Sequence, residues 1–177
     1  MSQFRSLNRP QFIDKLWNFF SLKKYKVKST GVFMEFNAQL YRYPENITLE
    51  RDVYLKRNSL VGSANEDAIV KIGERTTIGY NSIIMASNHI AIGSDCMIAP
   101  NVYIVDSNHG FEENKPFNLQ PNVVKSVRLG NNIWLGAGVV VLPGVSICDN
   151  VIVGAGSVVT RSLLDPGIYY GTPAKKR

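Results

Sequence analysis

A chain of 177 residues with 45% hydrophobic and 19% charged side chains can bury one substantial core, which excludes a disordered or coiled-coil protein and leaves too little chain for two ordinary domains. Its net charge of +6 sits at one end: residues 1–30 carry seven basic side chains (Arg5, Arg9, Lys15, Lys23, Lys24, Lys26, Lys28) against one acid, Asp14, while residues 31–177 carry 13 of each sign. A nucleic-acid-binding domain would spread its basic surface over the folded part, so no nucleic-acid partner is expected.

Cys96 and Cys148 lack metal-ligand spacing and are too few for a disulfide framework, which points to free thiols in a reducing cytoplasm. No apolar run suits a secretory signal or approaches the ~18 residues of a membrane span.

In chain order, residues 1–30 read as a basic helical arm, with Asn8 able to cap and Pro10 suited to the first turn. Phe12, Leu16 and Phe20 lie four apart with Ile13 and Trp17 beside them, so the helix is amphipathic. Its apolar face is expected to pack on the rest of the fold or on a neighbouring subunit. Peripheral contact with an anionic membrane surface, at the inner face of the membrane, is the alternative.

Residues 31–71 read as irregular early coils, in which Ile47, Val53 and Ser59 keep a weak six-residue phase. Residues 72–109 are regular. Residues 110–126, polar and with two prolines, break the phase and read as a loop projecting from a corner. Residues 127–161 are the cleanest. The predicted organisation is therefore an arm over 1–30, a repeat body over 31–165, and a basic tail over 166–177.

The phase itself is a repeat of six. From Leu129, every sixth residue is aliphatic: Leu135, Val141, Ile147, Val153, Val159. Ile92, Ile98 and Ile104 form one earlier run and Ile72, Ile78, Ile84 and Ile90 another, with a slip of two between Ile90 and Ile92. Four places after the aliphatic, a small or branched residue recurs: Thr76, Ser82, Cys96, Val102, Val139, Val145, Val151, Ser157. A helix repeats at 3.6 and a strand at 2, so six means a short strand plus a sharp turn. Three units make a triangular coil of 18 residues, and stacked coils pair as parallel strands around an aliphatic prism. The predicted fold class is all-β, a parallel β-helix solenoid with a short N-terminal helical arm and one projecting loop.

His109 closes the segment Ile-Val-Asp-Ser-Asn-His-Gly-Phe at the last corner before the loop, where a cleft would open. A histidine placed there could serve as a general base titrating near pH 7. No Gly-x-Ser-x-Gly elbow or Cys/His signature marks a nucleophile, which favours direct attack over a covalent enzyme intermediate.

The stretch NNIWLGAGVVVLPGVSICDNVIVGAGSVVT, the terminal GTPAK and the Asp-x-Asn-His-Gly segment resemble the hexapeptide-repeat acyltransferases. The chain is similar to the maltose and galactoside O-acetyltransferases over about residues 45–177, and closer to the lipopolysaccharide O-antigen O-acetyltransferases. The resemblance implies a left-handed coil, acetyl-CoA as donor without a metal, and a sugar or glycolipid acceptor. It also implies a homotrimer with active sites between subunits, His109 from one wall and Trp134 from another.

By resemblance, His109 is the catalytic base and Trp134 lies beside the pantetheine arm. Ala137 and Ala155 offer backbone groups to that arm, Thr160 and Arg161 lie near the nucleotide end, and Lys175 lies near its phosphates. Asp106 is a candidate helper, orienting His109 or binding the acceptor, or else a corner residue. Asn108 and Asn81 are candidate acceptor-binding residues. Two departures stand out. Ser107 replaces the first histidine of the Asp-His-x-His found in many relatives, and the usual acceptor-binding asparagine aligns with Gly79, leaving Asn81 off register.

The rival functions are transfer to an amino-sugar nitrogen or an antibiotic hydroxyl on the same fold, a γ-type carbonic anhydrase, and a non-catalytic scaffold. The carbonic anhydrase needs three zinc-binding histidines, and this chain has only His89, read as structural, and His109.

Overall fold

The computed structural model describes residues 10–177 as a solenoid of about six turns with three walls of parallel strands. The first wall is an eight-stranded sheet running from Phe33–Met34 to Lys175–Lys176. The second has six strands, Gln39–Arg42 to Val158–Val159, and the third five, Ile47–Leu49 to Ser146–Ile147.

The six-residue phase is the core. In the first wall Leu55, Ile78, Ile98, Leu135, Val153 and Tyr169 stand in one register column, all buried. Leu40, Val61, Ile84, Ile104, Val141 and Val159 form the matching column of the second wall. The small residues four places on, from Thr76 to Ser157, are buried at the corners. Thr76 and Ser82 donate hydroxyl bonds there to the Gly93 and Ala99 carbonyls of the next coil. The weak early phase also holds, since Ile47, Val53 and Ser59 are all buried.

Coil length departs from the expected 18. The step from Leu135 to Val153 is 18 residues, but Ile78 to Ile98 is 20 and Leu55 to Ile78 is 23. The extra residues enter between the second and third walls, at 64–68 and 87–88. The slip at Ile90 and Ile92 has a related cause: both side chains point inward from one four-residue strand, His89–Ile92. Corners between the first and second walls turn through left-handed residues, Asn37, Asn58, Asn81 and Asn101 and then Gly138 and Gly156. Asparagine and glycine tolerate that conformation best.

The tail over 166–177 is corrected. Gly167–Tyr170 pairs in parallel with Val151–Val153 and buries Tyr169, so the solenoid runs on past 165. Its signal was hidden because an aromatic stands in the aliphatic place. Lys175–Lys176 then folds back antiparallel on this strand.

Among the described residues the N-terminal arm holds one α-helix, Phe12–Lys24, with Gln11 as its N-cap residue. The expected cap Asn8 lies outside the described residues, and Pro10 precedes the helix rather than opening it. The helix faces the opposite way from its hydrophobic pattern. Asp14 and Ser21 are buried and Trp17 and Asn18 half-buried, while Phe12, Ile13, Leu16, Phe19 and Phe20 are exposed.

The reason lies in what the solenoid offers at its open end. Among the described residues the first strand pairs on one side only, and outward backbone groups of this strand and the turn after it need polar partners. The Asn18 side-chain oxygen accepts the Met34 amide at 2.9 Å, Asp14 accepts the Phe36 amide at 3.0 Å, and the Trp17 indole donates to the Ala38 carbonyl at 3.1 Å. Asp14 also takes both Arg57 Nε and Nη2, at 3.0 and 2.8 Å, and the Gln11 amide at 2.8 Å. Burial pushes the Asp14 carboxyl up, but the Arg57 guanidinium and these amides outweigh it and hold it below its usual range.

Candidate active site

Among the described residues the longest interruption of the solenoid lies between Tyr103–Val105 in the second wall and Val127–Leu129 in the third. The interruption is an arm whose root is ordered. Ser107–His109 pairs antiparallel with Asn122–Val124, setting His109 opposite Asn122. The sequence placed His109 at the last corner with a loop beginning at 110. The structure corrects this: His109 is on the ribbon, and the two-stranded part begins at Ser107. Further out, Phe111 stacks on Phe117, and the Gln120 side chain ties the Glu112 amide and the Glu112 and Lys115 carbonyls.

Asp106 anchors the root. It is fully buried, and its two oxygens accept the amides of Ser87 and Asn88 at 2.6 and 2.8 Å. Its carbonyl takes the Lys125 amide at 2.7 Å, tying the two legs of the arm together. The side-chain oxygens of Ser87 and Ser107 meet at 2.9 Å. Of the two readings of Asp106, this geometry fits the corner residue: both carboxylate oxygens accept backbone amides of the preceding coil, and neither bonds His109. The His109 and Asn108 side chains are exposed, and among the described residues the His109 imidazole bonds no protein group.

Asn81 also reads differently in three dimensions. It takes a left-handed corner, φ 56°, and accepts a bond from Asn58, which accepts one from Asn37. It is the last rung of an asparagine ladder, placed by the turn. At Gly79, an added Cβ would lie 2.4 Å from the Ala99 carbonyl carbon, so no side chain fits there.

The remaining candidates fall into two groups on different edges of the prism. Trp134 projects from the first wall, 46% exposed, with Ala137 and Ala155 one coil apart on the corner between first and second walls. Both alanines are exposed, and among the described residues their N–H groups donate to no protein acceptor. Lys175 lies on the last strand of the same wall. Thr160 and Arg161, both exposed, share the edge between second and third walls with His109. A single copy therefore does not bring His109 and Trp134 together.

A shallow groove of about 720 Å³ on the third wall, which the sequence did not suggest, is lined by His89, Arg128, Cys148, Asp149 and Leu164 among others. No three His, Cys, Asp or Glu side chains converge as metal ligands among the described residues.

Two family models match the chain: bacterial transferase hexapeptide (six repeats) over residues 126–161, and hexapeptide repeat of succinyl-transferase over residues 69–105. Among relatives, WbbJ of Escherichia coli K12, named for O-acetyl transfer in lipopolysaccharide biosynthesis, is 31% identical over 160 residues, covering 82% of this chain and 81% of that protein. The galactoside O-acetyltransferase of Lactococcus lactis is 37% identical over 105 residues, 59% of this chain and 50% of that protein. Among solved structures, the Bacillus cereus N-acyltransferase AntD, in complex with dTDP and 3-hydroxybutyryl-CoA, superposes with a TM-score of 0.77 at 23% identity, covering 90% of this chain and 86% of that one. This likeness establishes the fold as that of the left-handed parallel β-helix acyltransferases.

Proposed function

The chain belongs to the hexapeptide-repeat transferases and is an acetyltransferase, and from that premise we propose that it moves an acetyl group from acetyl-CoA to a sugar hydroxyl in surface-polysaccharide biosynthesis, with His109 as general base. The observation that carries this reading is the likeness to the E. coli O-acetyl transferase across most of both chains.

The residues suit the donor. Ala137 and Ala155 present two uncommitted amides one coil apart, a spacing that fits the successive amide carbonyls of a pantetheine arm. Trp134 gives the arm an apolar wall, and Arg161 and Lys175 are exposed cations for the nucleotide phosphates. Acetyl-CoA supplies the activated thioester. The His109 imidazole takes the acceptor hydroxyl's proton as that oxygen attacks the acetyl carbonyl, then returns it to the departing thiolate, so the ester forms, the thioester breaks and the base is regenerated.

Because His109 and Trp134 stand on different edges, a site that uses both draws them from two copies. A homotrimer with sites between subunits satisfies this.

The test is acetyl-CoA turnover, followed by free-thiol release, with sugars, sugar nucleotides, glycolipids and amino sugars as acceptors. Acceptor-dependent release that falls about 10²–10⁴-fold in His109→Ala, with CoA binding kept, is the expected result. Release with amino sugars alone would replace the O-acetyl reading by N-acylation. Undiminished release in His109→Ala would remove it as the base, and a wild type that does not bind CoA would defeat the reading as a whole.

A further inference from the structure

We propose that the outward face of the N-terminal helix docks the protein on an anionic lipid surface. Phe12, Leu16, Phe19 and Phe20 follow helical i, i+4, i+7, i+8 spacing, and with Ile13 they form one exposed face; Phe12 is 75% exposed and Phe19 and Phe20 are above 60%. Fraying of a loosely held helix does not account for this. The opposite face, Asp14, Trp17, Asn18 and Ser21, is fixed to the solenoid by the bonds to Met34, Phe36, Ala38 and Arg57. Those bonds satisfy the Met34 and Phe36 amides and the Ala38 carbonyl and pair Arg57 with Asp14, so turning the apolar face inward would strip these groups of their partners.

The charges identify the occupant. Lys15 and Lys23 border the apolar face, and Lys24, Lys26 and Lys28 follow it, all exposed. Asp14, the helix's one acid, is turned inward and held by Arg57. A second copy packed face to face by symmetry would bring lysines against lysines with no acid between them. An anionic bilayer surface instead takes the aromatic side chains into its headgroup boundary and pairs the lysines with its own charge. Thirteen residues rise about 20 Å, too short to span a bilayer. Among the described residues no helix is long and apolar enough to cross a membrane, so this helix lies in the surface plane.

The experiment is co-sedimentation of the full chain with vesicles of phosphatidylcholine alone or with 30% phosphatidylglycerol, at low and high salt. Wild type is expected to pellet with the anionic vesicles at low salt, and to be released as salt screens the lysines. Phe12→Gln with Phe20→Gln, and separately Lys23→Glu with Lys24→Glu, should each weaken partitioning at least about 10-fold. All four side chains are exposed, so thermal unfolding should stay nearly unchanged in Phe12→Gln/Phe20→Gln and fall by no more than a few degrees in Lys23→Glu/Lys24→Glu, whose lysines stand in the last helical turn.

Wild type that ignores anionic vesicles overturns the proposal. So does equal binding to both compositions, which removes the electrostatic half. A Phe12→Gln/Phe20→Gln variant that runs smaller by size-exclusion while wild type ignores lipid would make a second copy the occupant. The assay measures no acetyl transfer, so it stands or falls apart from the proposed activity.

Discussion

Asp106→Asn separates a clasp from a catalyst. The side chain is fully buried, and its two oxygens accept amides at 2.6 and 2.8 Å. Asparagine keeps one acceptor but sets an NH₂ group against the second amide, which loses one charge-assisted bond and leaves a buried donor unpaired. Together these cost about 3 kcal/mol. For a chain of this size, that lowers the melting temperature by about 6–12 °C. The clasp also fixes the root of the arm that carries His109, so kcat/KM measured well below the transition should fall, but by no more than about 10-fold. Circular dichroism melts and thiol-release kinetics on the same preparations give both numbers. An unchanged melting temperature with kcat/KM down 10³-fold would refute the reasoning and return Asp106 to the chemistry.

Gly79→Ala and Gly138→Ala should differ in kind. The first puts a Cβ 2.4 Å from the backbone of the next coil and should cost about 3 kcal/mol, whereas the second meets open space and carries only the strain of φ +69°, about 1–2 kcal/mol; urea denaturation compares them. Docking of the helix should depend on acid pH. The Asp14 carboxyl is depressed in the folded state, so its contribution is complete above the unfolded value near 4 and fades as pH falls through its lower folded value. Trp17 fluorescence in a Trp134→Phe background should report undocking in that window, with Arg57→Gln moving the transition to higher pH. Co-refolding inactive His109→Ala with inactive Trp134→Ala should restore about a quarter of wild-type activity, since one random pairing in four joins an intact His109 to an intact Trp134; no recovery would place both residues in one subunit's site.

The solenoid was legible because each coil repeats one steric requirement. An inward aliphatic and a small corner residue recur at fixed offsets, and Ile78, Ile84, Thr76 and Ser82 are all fully buried. Where a feature depends on backbone groups, the pattern is silent. The helix shows a clear apolar face, yet that face turns outward because the first strand's edge asks for hydrogen bonds. Asp106 stands three residues from His109 in the chain, but its side-chain partners, Ser87 and Asn88, come from the preceding coil. Asn81 ends a ladder through Asn58 and Asn37, a placement that its spacing in the sequence does not show. Tyr169 escaped the phase because it is an aromatic at an aliphatic position, and the ribbon at 107–109 because two three-residue strands leave no periodicity to count.

A stack of parallel coils has no geometric reason to stop, since each coil offers the next the same row of donors and acceptors. Here the helix stoppers one end with side chains, and Lys175–Lys176 runs against the grain at the other. Between those stoppers the molecule is a template held in check. The side chains at Asp14, Trp17 and Asn18 thereby occupy backbone groups that an added strand along the first wall would otherwise compete for.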